Sequence, residues 1–257
     1  MSNFRPQTLK WILVLSLLAT VHIAVLHAEE LPGANPAPLE VKIGEDGPRI
    51  SSSLSVLIGM TLLAVLPSIL IMTTSFMRII IVLGFLRNAL STQQTPPNLV
   101  LVGIALFLTL FIMSPVLNRM NSEAVAPYTK GEINQQQAFE RGLLPLREFM
   151  GKQTRKKDLV LMVELSRAEA PHEFNDVPTL TLIPAFMLSE LRTAFQMGFL
   201  LFLPFLVIDL VVSSILMSLG MMMLPPSTFS LPLKLLLFVL ADGWGLVVKS
   251  LVVSFGM

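Results

Sequence analysis

The sequence predicts an all-α integral membrane protein made of broken helical hairpins, led by a cleavable N-terminal signal peptide. Three observations support this. The chain is 53% hydrophobic and only 14% charged over 257 residues, against roughly 25% charged residues in an ordinary soluble domain. Two long apolar blocks are each interrupted by a proline pair, and the N-terminus has the basic, apolar and small-residue order of a secretory leader.

The elements follow in chain order. Arg5 and Lys10 precede the apolar run WILVLSLLATVHIAVL, and Ala28 in HAEE stands where cleavage is expected, giving a signal peptide over 1–28. Leu26 is a poor residue three before the cut, so a retained signal anchor is the alternative. A lead-in over 29–53, rich in proline and small residues, follows on the non-cytoplasmic side. The first apolar hairpin spans 54–117 and turns at Pro96 and Pro97; the second spans 180–257 and turns at Pro225 and Pro226. Between them, 118–179 is polar, with equal numbers of acidic and basic residues. Helical spacing at Phe139, Leu143 and Leu144, and again at Leu159, Met162 and Val163, predicts short amphipathic helices there. Arg155, Lys156 and Lys157 form a basic knot too small for a polybasic lipid patch, which takes about 4 to 8 such residues.

Simple crossings fit the charges poorly. With the mature N-terminus outside, both proline turns face the cytoplasm, yet they carry little lysine or arginine beyond Arg87 while the outer stretch carries many. Arg78, Arg87, Glu190, Arg192, Asp209, Lys234, Asp242 and Lys249 lie inside or beside apolar runs. At a bilayer centre each would cost roughly 2.5 to 3.5 kcal/mol even on the lenient insertion scale, so they are expected to face protein or water. Ser189, Arg192, Thr193 and Gln196 share one helical face, and Glu190 lies off it among Phe186, Met187 and Ala194. Lys234 is equally isolated among Leu231, Leu237 and Phe238. Two solitary opposite charges can satisfy each other, within the chain or between copies; the alternative is that each ends at water or headgroups. Asp242 and Lys249 share a face near a helix end, and the partner of Asp209 is left open.

The stretch LGMMMLPPST sets Met221, Met222 and Met223 between Gly220 and the proline pair, which predicts a loop at a helix break. Non-helical backbone at membrane depth is tolerated where protein buries it or where it lines a wet cavity. Methionine is flexible and polarizable. The three side chains are therefore either fillers of a helix turn or, in several copies, a deformable constriction that gates by dewetting.

No catalytic, metal or cofactor signature is present. There are no cysteines, which excludes disulfides and thiolate metal sites, and His172 in PHEF is not in a zinc motif. Serine elbows and glycine-rich phosphate loops are missing, and no basic stripe interleaved with aromatics points to nucleic acid. Neither an enzyme nor a cofactor is expected.

The stretches SFMRIIIVLGFLRNALSTQQTPPNLVLVGIALFLT and PAFMLSELRTAFQMGFLLFLPFLVIDLVVSSILMSLGMMMLPPSTFSLPLKLLLFVLADGW resemble the FliP family of the bacterial flagellar type III export gate. The likeness runs from Leu54 to the C-terminus, less informatively in the polar stretch. It implies bent hairpins assembling into a helical oligomeric channel, a pentamer joined by FliQ and FliR and other gate membrane proteins. That assembly sits in the inner membrane at the flagellar basal body, largely on the periplasmic side. The resemblance also implies a methionine gasket at Met221, Met222 and Met223 and an inter-subunit ion pair of Glu190 with Lys234. The function it implies is a pore-forming subunit conducting unfolded flagellar proteins. A carboxylate-relay ion or proton transporter using Glu190, Asp209 and Asp242 is an alternative, and so is a purely structural assembly nucleus.

Overall fold

The computed structural model describes residues 52–92, 94–166, 173–221 and 224–256. The expected signal peptide, the lead-in up to residue 51 and His172 lie outside the described residues. The chain divides after Leu62 into two units. The described part of the first, 52–62, is helical and belongs to α1 (Ser52–Thr73).

From Leu63 onward every described element is helical: the rest of α1, then α2 (Phe76–Ala89), α3 (Asn98–Met120), a π-helical turn (Asn121–Val125), α4 (Ala126–Thr129), α5 (Gln135–Gln153), α6 (Lys156–Ser166), a 3-10 turn (Phe174–Asp176), α7 (Thr179–Ser218), α8 (Pro226–Leu240) and α9 (Gly243–Val253). The proline turns fall where the sequence places them. Two further breaks occur inside the apolar blocks, so each block holds three helices. At the first, Phe76 N–H donates to Thr74 Oγ1 (3.4 Å) and Thr73 Oγ1 donates back to the Ile69 carbonyl, local bonds that compete with the helical ladder. At the second, Asp242 is left-handed (φ 49°) and Gly243 lets Phe238 lie across it, where a Cβ would come within 2.1 Å of the ring. α8 and α9 consequently meet at 65°. The signals were the triplets Thr-Thr-Ser and Ala-Asp-Gly, which hydrophobicity alone passes over.

α3 also outruns its expected end at Leu117, continuing through the π turn and α4 to Thr129. α5 starts at a capping box in which the Asn134 side chain accepts from the Gln137 amide and the Gln137 side chain returns the bond. The core lies around α2. Its buried residues Phe76, Ile79, Val82, Leu83 and Leu86 recur at helical spacing. α2 packs chiefly on α7 and α3, while α5 and α6 cover α7 from another side. Gly198 permits close approach of α7 to Phe85, since a Cβ there would lie 2.5 Å from the ring.

α7 is unlike the rest. Its 40 residues span about 60 Å, twice the hydrocarbon thickness of about 30 Å. From Thr181 to Gly198 it buries a residue at nearly every turn; beyond, only Phe205, Val212 and Leu216 are buried. Asn98–Thr129 and Thr179–Ser218 are each long and apolar enough to cross a membrane, and the bent pairs α1 with α2 and α8 with α9 also qualify if each counts as one span.

Candidate functional site

The methionine loop is built by the end of α7. Gly220 is left-handed (φ 75°), its N–H donates to the Met217 carbonyl (3.0 Å) and the Met221 N–H donates to that of Leu216 (3.0 Å). This paired arrangement closes a helix C-terminus and satisfies its last carbonyls. Pro225 and Pro226 start α8, where a missing N–H costs nothing. Met221 is exposed at the break; Met222 and Met223 lie outside the described residues.

Two polar nodes lie among the apolar helices. In the first, Arg78 on α2 is 2% exposed and Glu190 on α7 fully buried. Arg78 Nε donates to Glu190 Oε2 (2.9 Å) and Nη2 to Glu190 Oε1, a fork that matches a carboxylate. Nη2 also donates to Gln153 Oε1 (3.0 Å), and Nη1 donates to the Ser254 carbonyl and Oγ (3.0 Å each). All five guanidinium N–H groups are thereby used. The Phe255 ring lies 3.8 Å from the guanidinium carbon, and Gln153 Nε2 donates to the Phe255 carbonyl (3.2 Å). One arginine therefore ties α2, α5, α7 and the turn after α9 together.

The second node centres on Lys234 of α8, which is 1% exposed. Its Nζ donates to Asp209 Oδ2 on α7 (2.6 Å) and to Ser91 Oγ at the end of α2 (2.7 Å). Asp209 remains 37% exposed. Ser230, Lys234 and Phe238, four residues apart, are the buried stripe of α8.

Within one chain, then, Glu190 and Lys234 are not partners; each is taken by a residue from a different helix. Within this chain the cation that meets Glu190 is Arg78, reaching it from a helix 112 residues away, whereas the expected pairing of Glu190 with Lys234 is one between copies. Asp209, left open by the sequence, is the partner of Lys234. The polar face of α7 is real and docks α6. Ser189 Oγ donates to Asp158 Oδ2 (2.8 Å), Arg192 pairs with Asp158 (3.4 Å) and Arg155 donates to Gln196 (2.5 Å). Asp158, 2% exposed, and Gln153 were missed, since both sit in stretches that read as solvated. Arg87 donates to Asn98 Oδ1 (2.5 Å) across the first proline turn. Asp242 and Lys249 do not form an ion pair; both are exposed, and Asp242 serves the elbow into α9.

The family model described as the FliP family matches residues 59–251. The chain belongs to the FliP family. It is 51% identical to the flagellar biosynthetic protein FliP of Bacillus subtilis (strain 168) over 82% of this chain and 95% of that one. It is 53% identical to the protein of the same name from Pectobacterium carotovorum subsp. carotovorum, over 88% and 86% of the two chains. With that of Caulobacter vibrioides it shares 45% identity over 98% and 93%. The FliP match takes in α2, α3, α7, α8 and most of α9, and with them both nodes except the C-terminal turn at Ser254 and Phe255.

Proposed function

We propose that this chain is a pore-forming subunit of a flagellar type III protein export gate in the bacterial inner membrane, at the flagellar basal body. The proposal includes conduction of unfolded flagellar subunits and a homo-oligomer, taken as a pentamer, joined by FliQ, FliR and other export components largely on the periplasmic side. The name flagellar biosynthetic protein, carried by relatives about half identical to it, supports the pathway. The observation that carries the subunit reading is the outer half of α7. There, Leu203, Leu206, Val207, Leu210, Val211 and Ile215 are exposed although charged groups are packed inside the same fold. An apolar surface of that extent calls for lipid or sister subunits.

In this reading Met221, Met222 and Met223 from several copies form the gasket, a flexible apolar constriction that dewets at rest. Replacing all three by alanine is expected to let small ions leak through the assembled complex in planar bilayers; unchanged conductance overturns the gasket. Between copies, Glu190 exchanges Arg78, and Lys234 exchanges Asp209, for each other, Lys234 keeping a donor on Ser91. The double reversal Glu190→Lys with Lys234→Glu then restores part of the assembly that either single reversal loses. It restores none if each residue keeps its partner in its own chain. A carboxylate relay has less support, because among the described residues no hydrogen bond or ion pair links Glu190, Asp209 and Asp242 to one another.

A further inference from the structure

Two helices that lead into the proline turns end in the same way but with different residues. At the end of α7 the left-handed position is Gly220. At the end of α2 it is Ser91 (φ 58°), with Ser91 N–H donating to the Asn88 carbonyl (2.9 Å) and Thr92 N–H to that of Arg87 (3.3 Å). This is the hydrogen-bond pairing seen at Gly220 and Met221, and glycine is its usual residue because a Cβ is strained there. A strained non-glycine residue points to a task for its side chain. Here the side chain that glycine would lack is the one Lys234 Nζ binds at 2.7 Å. The hydroxyl brings the first hairpin's turn onto a lysine buried in the second.

We propose that Ser91 is a positioning residue: its hydroxyl latches Lys234, holds α8 against the end of α2, and so sets the place of the methionine loop. Lys234 lies eight residues beyond Pro226 and Asp209 nine before Ser218, so the latch grips both helices about 12 to 14 Å from the ends that carry the loop. A rigid helix transmits a shift at that grip to its end. The ion pair braces α7 against α8, and among the described residues Ser91 is what hydrogen-bonds Lys234 of that brace to the end of α2. The consequence for the channel rests on the gasket reading above, whereas the latch itself does not.

The test uses the absence of cysteine from the chain. Ser230 is fully buried one turn before Lys234 on the same face of α8, so Ser230→Cys places a single thiol under the latched helix. Its labelling by a water-soluble maleimide, in the full chain within its membrane complex, reports how often α8 lifts. Ser91→Gly keeps the left-handed backbone at no strain and removes the hydroxyl. Ser91→Asn keeps a polar acceptor and also tolerates that backbone. Loss of a hydrogen bond to a charged group is expected to raise labelling at least about tenfold in Ser91→Gly, with Ser91→Asn close to the parent. Labelling in Ser91→Gly no faster than in the parent overturns the latch, as does Ser91→Asn labelling as fast as Ser91→Gly. Ion conductance measured on the same preparations separates the two proposals: faster labelling without a leak upholds the latch and counts against the gasket.

Discussion

The Arg78 and Lys234 nodes set the same kind of charge pair into apolar helices and treat it differently. Arg78 has every donor used, an aromatic ring across its face and a partner with no exposure. Lys234 is as deeply buried, but its carboxylate is more than a third exposed and its other acceptor is a hydroxyl at a turn. A buried ion pair is stable only when its remaining hydrogen-bonding groups are met. The first node meets that condition and joins four parts of the body. The second leaves one partner incompletely enclosed by its own chain, which suits a contact that can be given up and remade.

The largest expected effect comes from breaking the closed node. Arg78→Leu leaves Glu190 charged, buried and unpaired, and should cost about 3–5 kcal/mol, read as lost thermal stability of the full chain in detergent. Arg78→Lys should recover little, because an ammonium cannot supply the fork or reach five acceptors. Lys234→Met should cost less, about 2 kcal/mol, since Asp209 is not enclosed by the chain as Glu190 is. Equal losses for Arg78→Leu and Lys234→Met would break the contrast between the nodes. Next comes Gly220→Ala, expected to cost about 1 kcal/mol through the left-handed backbone alone, with no change in Ser230→Cys labelling; a change would mean that helix ends, and not the hydroxyl, control α8.

The smallest effect is at the surface. Arg119 donates to Glu148 (2.6 Å), tying the end of α3 to α5, and this bond holds the Glu148 carboxyl below its usual range. A lowered folded value gives stability that is present above the unfolded carboxylate range and lost as pH falls through the folded one. Glu148→Gln should therefore lower Tm slightly at neutral pH and not at all in strong acid; a difference that persists there would mean the side chain acts through packing.

Much of the fold could be read without coordinates. The proline turns, the all-helical class and the amphipathic middle follow from residue types and spacing, because turn chemistry and apolar periodicity are local. The helix break between Gly220 and Pro225 was legible for the same reason: these residues close and open helices by their own backbone limits. The breaks at Thr74 and Asp242 were passed over because Thr-Thr-Ser and Ala-Asp-Gly interrupt the hydropathy for too short a stretch. The polar face of α7 was read correctly, while its acid Asp158 was hidden in a stretch of charged residues that looks solvated.

The sequence by itself determined that Arg78, Glu190 and Lys234 need polar partners, since that follows from the cost of desolvating an ion, which depends on the group and its apolar neighbours. Only the tertiary structure decided who meets whom. Arg78 finds Glu190 from 112 residues away, and Ser91 finds Lys234 from 143. Such pairings are set by how whole helices pack, and helix packing is decided by the summed burial of many side chains, none of which carries the answer alone.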